Sequence, residues 1–97
     1  MAHAVIGVCT IEFQLPGLTS LKEKRSVLKS MTKRLHSNFN VSAAEIDHQD
    51  VWQSAVIAFA AVSNSSAHAN QMIDNILNWI EKHYPHLPVV SENIEIL

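Results

Sequence analysis

The order of six patterned segments limits what this chain can fold into more than any other feature of its sequence. An apolar, β-branched segment from Val5 to Leu15 ends at Pro16-Gly17, a turn signal, and predicts a first strand. Ser20-Leu21-Lys22-Glu23 is a capping box, in which a serine hydroxyl and a glutamate carboxylate satisfy free backbone N–H groups. A helix is therefore predicted to begin there and to end near Ser37-Asn38.

The second half of the chain adds two strands, a helix and a last strand. The character of the residues alternates from Val41 to Gln49, which predicts a half-exposed strand. The continuous apolar segment from Gln53 to Ser63 predicts a buried strand. Ser63-Asn64-Ser65-Ser66 offers N-caps for a helix that runs to about Tyr84, and Val89 to Leu97 predicts the final strand. The order β-α-β-β-α-β is typical of a ferredoxin-like α+β fold, a four-stranded antiparallel sheet with two helices on one face.

Composition argues against several classes of protein. The chain has 97 residues, of which 47% are hydrophobic and 16% charged, as expected for one globular domain over residues 1–97. The single cysteine, Cys9, cannot form an internal disulfide, so nothing points to secretion. The longest apolar run, Ala55 to Val62, is far short of the ~20 residues that span a bilayer. With no signal-peptide pattern, we expect a cytoplasmic protein that does not bind membranes.

Both faces of the third predicted strand are apolar. Alternate residues point to opposite sides and form two sets, Val56, Ala58, Ala60 and Val62 against Ala55, Ile57, Phe59 and Ala61. In this fold the helices cover one face of the sheet, so the other apolar face must be shielded by long side chains and loops or buried against a partner. We expect a homodimer or a higher oligomer, because symmetric assemblies of identical chains are common.

Positive charge is concentrated in the first predicted helix. Six of the seven Lys and Arg residues lie between positions 22 and 34, with Glu23 the only acid among them, so this segment carries +5. The rest of the chain has one cation, Lys82, and eight acidic residues, so it carries −7. The net charge of the whole chain is −2. At about 100° per residue, four of these cations form one basic stripe: Lys22, Arg25, Lys29 and Lys33.

The basic stripe has three interpretations. It could contact the phosphates of an RNA or DNA backbone, without DNA sequence specificity. It could also be a solvated helix face, or it could pair with an acidic surface on another protein subunit. RNA-recognition motifs stack bases on aromatic side chains of the two central strands, but the third strand has one aromatic residue, Phe59, and no basic signature. Any RNA contact is therefore expected through the helix.

Lys24 differs from the other cations, because its helical angle places it on the apolar face of the helix. It would either extend its ammonium group from the edge of the core or be held by a buried carboxylate, for which Glu12 and Glu45 are candidates. Glu45 and Asp47, expected to share a strand face, form an acidic group with Asp50. A small enzyme could use Lys24 with these carboxylates, although such groups are usually solvated.

No catalytic, metal-binding or cofactor-binding motif is present in the sequence. The closest pair of histidines, His83 and His86, is separated by Pro85, and no Cys-x-x-Cys or His-Glu-x-x-His pattern occurs. Cys9 has no evident base to activate it. The two glycines are ten positions apart and do not form a phosphate loop. We expect no enzyme activity, no metal and no cofactor.

Three segments resemble the bacterial YlxP-like family, a small domain family of unknown function. They are Ser20 to Arg25 (Ser-Leu-Lys-Glu-Lys-Arg), Ala44 to Asp47, and Gln49 to Gln53, and the resemblance extends over nearly the whole chain. It implies a ferredoxin-like fold and no assigned activity. Members of the family are often encoded near ribosome-maturation and translation-initiation genes, an association that makes the ribosome a partner to consider.

Lys24 and Trp52 lie within these segments, and the helix start and the turn before Trp52 can lie at one end of such a fold. The alternative is that Trp52 covers the core, as tryptophan commonly does. The resulting candidate polar site contains Lys24, Glu45, Asp47, Asp50 and Trp52.

Overall fold

The computed structural model describes residues 3–48 and 51–97 of the chain. They form β1 (Val5–Gln14), α1 (Leu21–Asn38), β2 (Ser42–Asp47), β3 (Ser54–Ser63), α2 (Ser66–His83) and β4 (Val89–Ile96). The strands build one antiparallel sheet in the order β2-β3-β1-β4. This topology confirms the predicted ferredoxin-like α+β fold. Within the described ranges, neither helix is long and apolar enough to cross a lipid bilayer.

The core lies between the helices and one face of the sheet. The two central strands bury alternate residues on this face: Cys9, Ile11, Phe13, Ala55, Ile57, Phe59 and Ala61. The helices add a second apolar layer: Leu28, Met31, Leu35, Ala69, Ile73, Ile76 and Ile80. The buried residues recur at every second position in the strands and about every 3.6 positions in the helices, as the sequence predicts. Burying each large apolar side chain contributes about 1.5–3 kcal/mol to folding.

Serine residues cap both helices. Ser20 Oγ accepts a hydrogen bond from Glu23 N at 3.2 Å, and Ser65 Oγ accepts one from His68 N at 3.3 Å. The Glu23 carboxylate reaches one residue further back than a capping box predicts, because it accepts from Thr19 N at 3.3 Å and from Thr19 Oγ1 at 3.1 Å. The start of α1 is thus fixed on both sides of Ser20, which also fixes the position of Lys24.

Gly7 allows α2 to pack closely against β1. A Cβ atom at this position would lie 2.9 Å from Ile73 Cδ1 and 3.3 Å from Ala69 Cβ, and both neighbours are fully buried. We expect Gly7→Val to lower the free energy of unfolding by about 2 kcal/mol, because overpacking a core costs about 1–3 kcal/mol. Urea denaturation measures the change, with the exposed Ser91→Val in β4 as a control that shifts stability by less than about 0.5 kcal/mol. Wild-type stability for Gly7→Val would mean that α2 can move from the sheet without loss.

Neither helix covers the opposite face of the sheet. Val56, Ala58 and Ala60 are half-buried on this side of β3, and Val62 is exposed. The four strands place no aromatic side chain on the open face, because Phe13 and Phe59, the aromatic residues within them, are buried under the helices. The open face therefore lacks the base-stacking surface of an RNA-recognition motif.

A β-bulge in β2 separates two carboxylates that the sequence placed together. Glu45 lies opposite Ile57, whereas Asp47 lies opposite Val56, with a register shift between them. Since Ile57 faces the helices and Val56 the open face, the prediction that Glu45 and Asp47 share a face is wrong. The extra residue of the bulge turns Asp47 to the other side, and Glu45 alone of the two points toward α1.

Candidate functional site

Lys24 is buried near the start of α1, where its ammonium group holds the connection between β2 and β3. The residue is 1% exposed. Its Nζ lies 2.8 Å from Glu45 Oε2, and it donates hydrogen bonds to the carbonyl oxygen of Val51 at 2.6 Å and to that of His48. These three oxygens equal in number the three protons of an ammonium group. A charge that would be costly in the core is thereby paired and solvated by the protein itself.

Glu45 is the partner of Lys24, and Glu12 is not. Glu12 lies opposite Val56 in the sheet, so it points to the open face, away from α1. Glu45 is 20% exposed, and its Oε2 is within ion-pair distance of Lys24 Nζ. This oxygen is buried and accepts no hydrogen bond from the described residues, so the contact with Lys24 is an ion pair without hydrogen-bonding angles.

His48 adopts a left-handed backbone conformation at the end of β2, with φ of 61°. Outside glycine this conformation costs about 1–2 kcal/mol. Three contacts offset that cost: its carbonyl accepts from Lys24, its amide donates to Asp47 Oδ1 at 2.8 Å, and its Nδ1 lies 2.9 Å from Ser54 Oγ. The exposed Asp47 therefore stabilises the turn and does not join the pair of Lys24 and Glu45.

Trp52 lies at the same end of the fold as Lys24, one of the two arrangements that the sequence leaves open. Lys24 Nζ binds the carbonyl of Val51, the residue before it, and Trp52 is 43% exposed. Trp52 lies outside the hydrophobic core cluster, so it does not cover the core. Asp50, the remaining member of the candidate polar site, lies outside the described residues.

All four members of the basic stripe are exposed on α1. The stripe extends about 16 Å along the helix, from a rise of about 1.5 Å per residue. No carboxylate in the described part of the chain lies within 4 Å of any of its charged groups. The neighbouring His36 turns away toward β2, where its Nε2 accepts a hydrogen bond from Ala43 N at 3.2 Å.

Arg34 is half-buried and packs against aromatic side chains. Its guanidinium carbon lies 5.0 Å from the ring centroid of Trp79 and 5.3 Å from that of Tyr84, and it donates to Tyr84 Oη at 3.0 Å. Trp79 also meets Phe39 edge to face at 5.7 Å and stacks on His83 at 4.5 Å. This cluster joins the C-terminal ends of the two helices. Of the six clustered cations, Lys24 is buried, Arg34 is half-buried, and the four members of the basic stripe are exposed.

Negative charge lies on a different surface. A groove of about 610 Å³ between α2 and β4 has apolar side chains such as Ile11 and Leu77 in its walls, together with Asp74, Glu81 and Glu92. These carboxylates would repel a polyanion. Among residues 3–48 and 51–97, no three His, Cys, Asp or Glu side chains are grouped so that they could hold a metal ion.

Cys9 is fully buried on the helix-covered face of β1. Burial, with a smaller contribution from the charge of Glu92, raises the pKa of its thiol from 9.0 to about 11. Above pH 9 the unfolded chain releases a proton that the folded chain retains, so stability should fall between pH 9 and 11 and be unaffected by this group below pH 9.

We expect that decline to amount to roughly 2 kcal/mol by urea denaturation. The comparison is with Cys9→Ala, which should lack the thiol's part of the decline. Parallel pH profiles for the two proteins would contradict the raised pKa.

Comparisons with known proteins agree with the resemblance carried by the start of α1 and the β2–β3 turn. A family model described as "Protein of unknown function (DUF503)" matches residues 6–94. The chain is 39% identical over 77 residues to the uncharacterized protein YlxP of Bacillus subtilis (strain 168), in an alignment that covers 79% of this chain and 84% of that protein. The chain therefore belongs to the YlxP-like (DUF503) family, whose function is unknown.

Proposed function

We propose that this protein is a non-catalytic interaction module that binds RNA, such as that of the ribosome, through the basic stripe on α1. The observation that carries the proposal is the set of four exposed cations on one helix face of a chain whose net charge is −2. Such a face attracts a polyanion even when the protein as a whole is acidic.

The composition of α1 favours this function over a merely solvated face. Solvated helix faces commonly alternate the sign of their charges and form ion pairs between residues three or four apart. Glu23 is the only acidic residue in α1, and its carboxylate is occupied by Thr19. The stripe therefore has no such partner within its own helix.

The geometry suits contact with a sugar–phosphate backbone. Lysine ammonium groups recognise phosphates as point charges and carry no base information, so we expect no sequence preference on RNA or DNA. Trp52 is exposed, and Lys24 of α1 holds the carbonyl of the residue before it. An unpaired base can stack on such a ring, which favours single-stranded regions of RNA.

The structural use of Lys24 supports a non-catalytic role. Each of the three protons of its ammonium group has an oxygen nearby, and the residue is 1% exposed. A group held in this way stabilises a turn and offers no accessible amine to a substrate.

A second candidate is a self-assembling, protein-binding module with no role in nucleic-acid binding. The open apolar face of the sheet favours it, and the basic stripe would then meet an acidic protein surface.

The test of the RNA proposal is fluorescence anisotropy of labelled oligouridine titrated with the protein between 50 and 200 mM salt. Four phosphate contacts on a single strand predict that log affinity falls against log salt with a slope of about −3, which is roughly a 60-fold loss over this range. A labelled acidic peptide of equal length is the control and should bind much more weakly. Absence of binding at 50 mM salt would contradict the proposal and favour the second candidate.

A further inference from the structure

We propose that the open face of the sheet is the interface of a symmetric homodimer. This face carries exposed aliphatic side chains in three strands, with Ile6 at 38%, Ile46 at 50% and Val62 at 65% exposure. Between them lie the half-buried Val8 and Ala60. Large exposed apolar surfaces rimmed by polar residues mark sites of interaction. The inference does not depend on RNA binding.

The pairing of the strands places larger side chains next to smaller ones on the open face. Val8 of β1 lies opposite Ala60 of β3, and Thr10 lies opposite Ala58. On the β2 side Ala44 lies opposite Ala58, and the alanines form the floor of a shallow depression of about 180 Å³. The larger side chains of β1 thus stand beside a hollow over β3 and β2.

A two-fold axis parallel to the strands and between β1 and β3 brings the larger side chains of each copy against the smaller side chains of the other. The axis sets β1 of each copy on β3 of the other, so Val8 and Thr10 enter the hollow over Ala60 and Ala58. Large side chains facing small ones interdigitate as they do in a packed core. Two sheets with such faces pack about 10 Å apart with their strands nearly aligned.

The size of the face is sufficient for a specific dimer. The strands have 10, 6, 10 and 8 residues, so at about 3.4 Å per residue and about 4.8 Å between strands the face covers roughly 550 Å² on each copy. Two copies would bury about 1,100 Å², above the roughly 1,000 Å² that a specific interface should clear. Asn93 and Glu95 of the edge strand β4 lie at one side of the face and supply part of a polar rim.

Sedimentation velocity without RNA tests this inference on the full chain. At roughly 50 µM, where a micromolar dimer is mostly assembled, the protein should sediment as two chains of 10.8 kDa. Ala60→Glu would bury an unpaired charge at the centre of the interface and should weaken association by at least about 100-fold. Val89→Glu adds the same charge to an exposed valine on the helix-covered side and should change association by less than about threefold.

Circular dichroism and urea midpoints confirm that each variant is folded. If Ala60→Glu does not fold, Val62→Glu replaces it, because that side chain is 65% exposed in the single chain. A monomeric wild-type protein at this concentration would overturn the inference. A dimer unaffected by these variants, or one lost in Val89→Glu, would also overturn it, because the interface would then lie elsewhere.

Discussion

Lys24→Met should lower the free energy of unfolding by about 3 kcal/mol, because it leaves a carboxylate and two carbonyl oxygens without their cation. Glu45 Oε2 is 2.8 Å and the Val51 carbonyl oxygen 2.6 Å from the ammonium group that is removed. Methionine fills a similar volume, so the loss reports on the polar contacts and not on a cavity. Urea denaturation measures the stability, and hydrogen exchange should show faster opening of the β2–β3 turn.

A double-mutant cycle separates the ion pair from the carbonyl contacts. Glu45 is 20% exposed, so solvent screens part of its charge, and Glu45→Gln should cost only about 1 kcal/mol. Lys24→Met combined with Glu45→Gln should be less destabilised than the sum of the single variants by about 1 kcal/mol, because contacting residues couple. Lys22→Met, on the exposed side of the same helix, is the control and should change stability by less than about 0.5 kcal/mol. If Lys24→Met were as stable as this control, Lys24 would not hold the turn.

Reversing two charges of the basic stripe should weaken RNA binding on the order of 100-fold near 0.1 M salt. Each phosphate contact on a single strand contributes about fivefold at this salt concentration, and Lys29→Glu with Lys33→Glu adds repulsion to the loss of two contacts. The slope of log affinity against log salt should also fall from about −3 to about −1.5 or less. Fold and stability should be retained, because both side chains are exposed.

Single reversals supply a matched control for that effect. Lys29→Glu and Lys82→Glu change the net charge equally, and both side chains are exposed, but Lys82 lies in the last turn of α2. We expect the first to reduce affinity about tenfold or more and the second less than threefold. Equal losses would show that RNA responds to the overall charge of the protein and not to the stripe.

The sequence was sufficient for the fold because its local signals agree with one another. Ser20 and Ser65 cap the helices. The spacing of apolar residues along the chain shows which face of each helix and of each central strand points to the core. The sequence also predicts the unusual position of Lys24 on an apolar helix face, and it offers two carboxylates, Glu12 and Glu45, as partners.

The rest of the site depends on contacts that leave little trace in the sequence. The carbonyls of His48 and Val51 hold Lys24, and a carbonyl is the same in every residue. A bulge in β2 turns Asp47 to the other face, which alternation alone does not reveal. Arg34 packs on the ring of Trp79 in α2 and on that of Tyr84, just after α2 and 50 positions away along the chain, so only the folded chain shows that it does not belong to the exposed stripe.

The proposed RNA surface is tested most directly by mapping the backbone amide and tryptophan indole NMR signals during titration with oligouridine at low salt. We expect the largest shifts at Lys22, Arg25, Lys29 and Lys33, with the Trp52 indole signal moving and the Trp79 signal unchanged. Arg34 packs against Trp79, so that indole serves as an internal control. Shifts confined to the open face of the sheet, or to the acidic groove between α2 and β4, would contradict the assignment of RNA binding to α1.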